Sequence, residues 1–81
     1  MNTTAEIHQA AGGLVVSDPG ILGGKPVFRG TRLPVETLFE YLADGQTLDY
    51  YLETFPSVTR ELAVAVLEQA RTSLTEHAHP A

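Results

Sequence analysis

Three cations crowd one short stretch of an otherwise acidic chain. Lys25, Arg29 and Arg32 fall within eight positions, with Gly23, Gly24 and Gly30 among them. Glycine tolerates positive φ and lets backbone approach a ligand closely. Cations on such a loop suit an anion, either a DNA phosphate or the carboxylates of a protein partner. The same residues also suit a plainer use, in which the glycines form tight turns and the cations pair with helix carboxylates. For Arg32 the expected partner is Glu36, four residues on. Thr31 and Arg32 are expected to brace the loop against the first helix, leaving Lys25 and Arg29 as the binding pair. The segment is not a nucleotide-binding P-loop: Gly23-Gly24-Lys25 runs into Pro26, where a hydroxyl residue and a helix are required.

A second set lies on the last helix. Arg60, Glu61, Val64, Glu68 and Gln69 fall on its outward side. Arg and Gln can read base edges in the major groove, but two carboxylates on the same side oppose phosphate approach. A solvated helix face accounts for the pattern equally well. Among the aromatics, Tyr51 fits a core stripe, Tyr41 lies at a helix edge, and Tyr50 sits off the stripe as an interface candidate. Catalytic groups are scarce. There is no Cys, and His8, His77 and His79 all lie in the polar termini. The helix acids are spread along solvent faces, as surface helices require. No catalytic residue, metal site or cofactor is expected, and an enzyme is not the reading.

Charge limits the partners further. Five Lys and Arg stand against ten Asp and Glu, a formal net charge of −5. Duplex affinity comes mainly from phosphate neutralisation by Lys and Arg, so such a chain would have to contact DNA through a local basic patch. No apolar run approaches the roughly 18 residues that span a bilayer. The start, MNTTAEIHQAAGG, has neither a basic n-region nor an apolar h-region. No membrane role is expected, and the cytoplasm is the expected location. At 81 residues the chain makes one domain. Folding at this size hides only about 60–65% of the unfolded surface, so a homodimer is expected to supply further burial, with exposed strand edges as one route.

The elements that must hold these residues follow from turn and cap signals. Residues 1–13 read as a loose arm, 14–76 as the single domain and 77–81 as a polar tail. Leu14-Val15-Val16 is β-prone and stops at Ser17-Asp18-Pro19-Gly20, a strong turn signal. Val27-Phe28-Arg29 is a second strand, giving a short hairpin from Val15 to Arg29. The first helix is expected over Pro34–Asp44, with Pro34 at its first position, a buried stripe of Val35, Leu38, Phe39, Leu42 and Ala43, and Gly45 just past its end. The second is expected over Leu48–Thr54, capped by Thr47 and stopped by Pro56, with Leu48, Tyr51, Leu52 and Phe55 inward. The third is expected over Arg60–Glu76, capped by Thr59, with Ala63, Val66, Leu67, Ala70 and Leu74 inward. The fold class is therefore mainly α: a short N-terminal β-hairpin followed by a three-helix, helix-turn-helix-like cluster.

Three segments carry a family resemblance. Ser17 to Val35 fits the pattern D-P-x-I-x-x-G-x-P-x-x-x-G-T-R-x-P-V; Leu42-Ala-Asp-Gly45 ends a helix; Phe55-Pro-Ser-Val-Thr59 joins two more. Together they resemble the domain-of-unknown-function 433 family, over about Val15 to Arg71. Asp49-Tyr50-Tyr51 stands where relatives carry a more Glu-rich run. The resemblance implies a small bacterial protein, antitoxin-like and associated with VapB-type systems, that restrains a PIN-like nuclease toxin and autoregulates its operon. PIN-type nucleases hold metal with carboxylates, so an antitoxin Arg or Lys can occupy that cluster. The alternative is a stand-alone helix-turn-helix regulator on operator DNA. Contacts to a partner or DNA are expected from Lys25, Arg29 and Arg32, on a loop formed by Gly23, Gly24, Gly30 and Thr31, and from Arg60 and Gln69 on the last helix.

Overall fold

A computed structural model describes residues 13–76. The expected arm up to residue 12, the tail from 77 to 81 and the three histidines lie outside those residues. Strand β1, Val15–Val16, pairs antiparallel with β2, Val27–Phe28, in the register Val15 to Phe28 and Val16 to Val27. The connection between them is closed at each step. Asp18 accepts from the Gly20 N–H through its carboxylate and from the Ile21 N–H through its carbonyl, both at 2.8 Å. A 3-10 turn at Leu22–Gly24 follows, and the Ser17 hydroxyl donates back to the Gly24 carbonyl.

The chain then folds back a second time. The Phe28 N–H donates to the Leu33 carbonyl at 3.0 Å, and the Val35 N–H to the Pro26 carbonyl at 3.0 Å. Between them, the Thr31 N–H closes a turn onto the Phe28 carbonyl, with Gly30 at φ 76° in the third position. That is the positive φ a type II turn demands. Pro34 consequently lies in a β-bridge opposite Val27 and is not the first residue of a helix. A proline, lacking an N–H, is tolerated on such an edge. β2 is thus flanked on both sides, and its residues are almost wholly buried.

Helix α1 spans Glu36–Ala43, two residues shorter at its start than the Pro34 reading. It enters through a tight turn, with the Thr37 N–H on the Pro34 carbonyl and the Leu38 N–H on the Val35 carbonyl. At its end the Gly45 N–H reaches the Leu42 carbonyl and the Gln46 N–H the Tyr41 carbonyl, both at 3.0 Å. This pair of bonds is a Schellman motif with Gly45 at φ 90°. Helix α2, Leu48–Thr54, is capped by the Thr47 side chain, which accepts the Tyr50 N–H. Helix α3, Arg60–Glu76, is capped by Thr59, which accepts the Leu62 N–H.

The core joins all layers: Phe28, Val35, Leu38, Tyr51, Val58, Ala63 and Val66 form one buried cluster. A polar chain runs through its edge. The Thr37 hydroxyl donates to the Pro34 carbonyl at 2.8 Å and lies 2.8 Å from the Tyr51 hydroxyl. Since the Thr37 proton is committed, Tyr51 is the donor to Thr37. Burial raises the Tyr51 phenol pKa above 10.0, and the neighbouring Tyr41 adds a little. Tyr41, Tyr51 and Phe55 pack edge-to-face or tilted, with ring centroids 4.9–5.4 Å apart.

Three expected core positions are not buried. Ala43 and Phe39 on α1 are exposed, and Leu74 is 74% exposed. Periodicity extends a stripe as far as the helix runs, whereas burial requires a facing element. The core cluster and the residues packed against it reach only to Leu67 on α3. Among the described residues, no helix is long and apolar enough to cross a membrane.

Candidate functional site

The basic stretch divides when it folds. Lys25, which follows the 3-10 turn containing Gly23 and Gly24, reaches α1, where its Nζ lies 2.5 Å from Glu36 Oε2. That hydrogen bond and the Glu36 charge, with a smaller contribution from Glu40, raise the Lys25 pKa above its usual value. Glu36 therefore pairs with Lys25 and not with Arg32. Spacing along a helix face suggested the latter, but Arg32 precedes α1 on a bridged extended segment, so the i, i+4 geometry does not exist there.

Arg29 and Arg32 flank the Gly30-Thr31 turn. Thr31 braces it from within: its hydroxyl donates to the Phe28 carbonyl at 2.9 Å and accepts the Leu33 N–H at 3.0 Å. Thr31 thus braces the turn itself; the bracing against α1 expected of Thr31 and Arg32 is not found, since among the described residues neither bonds to that helix. Arg29 is exposed, and its guanidinium makes one long bond, 3.3 Å, to the Gly13 carbonyl. Arg32 is exposed and forms no ion pair with any described residue. The turn is thus a stiff support carrying two arginines, one of them without an ion pair among the described residues.

The α3 candidates are held differently. Arg60 pairs with Asp49 of α2, and Arg71 with Glu68 at 2.8 Å. Arg60 and Gln69 are both exposed, but Gln69 lines a shallow apolar groove. Three of the five cations are therefore neutralised by carboxylates of this chain, which leaves little for phosphate. Tyr50 is 49% exposed and stacks on Tyr41 at 6.1 Å, as its off-stripe position suggested.

Sequence reasoning missed a surface centred on Phe39, which is 38% exposed. On one side of it lies a recess of about 240 Å³ lined by Lys25, Pro26, Val35 and Glu36. On the other lies one of about 220 Å³ between β1 and α3, lined by Leu14, Val66, Ala70 and Gln69 among others. The available signal was weak: Phe39 sits at the margin of the α1 stripe, where the pattern alone does not separate core from rim.

A family model described as "Protein of unknown function (DUF433)" matches residues 15–70. The chain belongs to that family. The match covers β1, the basic turn and all of α1 and α2, and most of α3. Uncharacterized protein y4eO of Sinorhizobium fredii (strain NBRC 101917 / NGR234) is 46% identical over 52 residues, which make up 64% of this chain and 24% of that protein. The chain thus spans about a quarter of the length of that relative. The crystal structure of a DUF433 member protein from Anabaena variabilis ATCC 29413 is similar with a TM-score of 0.65, at 26% identity, covering 91% of this chain and 73% of that one.

Proposed function

We propose that this DUF433 protein is an antitoxin-like binding module that restrains a nuclease-like, PIN-type partner. The observation that carries the reading is the braced turn at Phe28–Thr31, with Arg32 exposed beside it and free of ion pairs among the described residues. A guanidinium held on a stiff turn loses little freedom when it meets a carboxylate cluster, and it can do so bidentately. Nucleases that hold metal with carboxylates offer such a cluster. The net charge of −5 adds long-range attraction to a partner that is basic because it handles RNA.

The alternative, a stand-alone DNA-binding regulator, draws on the order of α2, a tight connection and α3. Its phosphate contacts would come from Lys25, Arg29, Arg32 and Arg60, and two of these four, Lys25 and Arg60, already face a carboxylate. Bound to a basic partner, the pair would gain the positive surface that this chain lacks, which gives a route to operator DNA.

The test is co-purification with the product of the adjacent reading frame, followed by affinity measurement. Changing Arg29 and Arg32 together to Ala is expected to weaken the complex at least tenfold, about 1.4 kcal/mol, with an unchanged melting temperature. Full affinity in that variant, or no complex with the neighbouring product, refutes the reading. Tight promoter binding by the isolated protein in physiological salt would favour the regulator instead.

A further inference from the structure

We infer that the Phe39 surface is where two copies of this chain meet, around a two-fold axis. The shape comes first. Phe39 forms a ridge between two recesses of similar volume, about 240 and 220 Å³, and Val35 and Phe39 line both. An exposed ring beside a recess suits self-association: in the proposed dimer a half-turn rotation would seat each Phe39 in a recess of the other copy. Isologous contacts require that relation, the same patch serving as both donor and acceptor of the contact.

Charge selects the occupant. Each copy carries −5, so two copies repel wherever unpaired carboxylates face one another. In the lining of the two recesses the charged side chains are Lys25 and Glu36, and they are paired with each other. A second copy can close on this face without burying an uncompensated charge. A basic partner gains little here: Glu36 is paired with Lys25, and the charge of Glu40, beside Phe39, also acts on Lys25.

Strand pairing is the poorer route to assembly. β2 is covered on both sides, by β1 and by the segment at Pro34, and β1 has only two residues. The apolar face at Phe39 is the surface on which the small core can be extended, by adding Leu14, Phe39 and Ala70 of both copies to Val35 and Val66. This inference does not rest on the antitoxin reading, since the Arg29–Arg32 turn is not part of the lining.

Sedimentation velocity on the full chain, across a micromolar concentration series, tests it. The wild type is expected to be a dimer whose melting temperature rises with concentration. Phe39→Glu should raise the dissociation constant at least about 100-fold, giving a monomer with its helical circular dichroism intact. If Phe39→Glu fails to fold, Ser73→Arg decides. Ser73 is exposed on the rim of the recess between β1 and α3, and the added guanidinium should weaken the dimer at least about tenfold without touching the core. Tyr50→Ala, which changes a residue outside both recesses, should remain dimeric. A wild type that stays monomeric at high micromolar concentration overturns the inference. So does a folded Phe39→Glu variant, or Ser73→Arg in its place, that dimerises like the wild type.

Discussion

The chain of hydroxyls from Tyr51 through Thr37 to the Pro34 carbonyl makes a quantitative prediction about stability. Tyr51 is fully buried, and its proton goes to Thr37, whose own proton goes to Pro34. Tyr51→Phe removes one neutral hydrogen bond and strands no donor, since Thr37 still donates to Pro34. Its cost should be about 1 kcal/mol. Thr37→Val has a different consequence. It removes the bond to Pro34, about 1 kcal/mol, and leaves the buried phenol without an acceptor, about 2 kcal/mol more. The order of the chain therefore makes the smaller substitution the more damaging one, at about 3 kcal/mol. The double variant loses both bonds but strands nothing, so its cost should be near 2 kcal/mol. The two changes together should be about 2 kcal/mol milder than the singles taken separately, a coupling within the range for residues in direct contact. Urea unfolding at one fixed protein concentration measures all four corners, with an unchanged m-value as the check on two-state behaviour. Additive single costs, or a Thr37→Val variant milder than Tyr51→Phe, would show that the donor order has been misassigned.

The same tyrosine sets a pH response. Its folded-state pKa lies above the unfolded value of 10.0, so the stability it contributes is complete below that value and is lost as pH rises through the folded pKa. Lys25, also raised, loses its ion pair at alkaline pH in wild type and variant alike. The difference between wild type and Tyr51→Phe in urea midpoint, followed upward from about pH 8, thus isolates the phenol, and the wild type should fall more steeply. Gly45→Ala should cost about 1 kcal/mol through backbone strain alone, because Gly45 sits at φ 90° and a Cβ there would meet nothing within 4 Å. A melting temperature roughly 4–8 °C lower would register it, and Gly45→Asn should recover part of the loss, since Asn tolerates that conformation.

Local chemistry in the chain was enough to specify most of the elements of this DUF433 domain. Thr47 and Thr59 fix where α2 and α3 begin because a side-chain oxygen meets an N–H only a few residues away. Gly45 ends α1 because a left-handed residue there costs least without a Cβ. Asp18-Pro19-Gly20 turns the chain with bonds spanning two and three residues. Each of these is settled within one turn of backbone, so each could be read from neighbouring letters. What depended on residues distant in sequence could not be read that way. Pro34 suits a helix start or a strand edge equally well, and its bridge to Val27 decided between them. Glu36 had two cations within reach of a plausible pairing; the fold brought Lys25, eleven residues away, and left Arg32 in solvent. Phe39 carries the same apolar signal as Leu38, yet one is exposed and the other fully buried. A helical period records which side of a helix is apolar, but whether another element covers that side is fixed only when the layers pack.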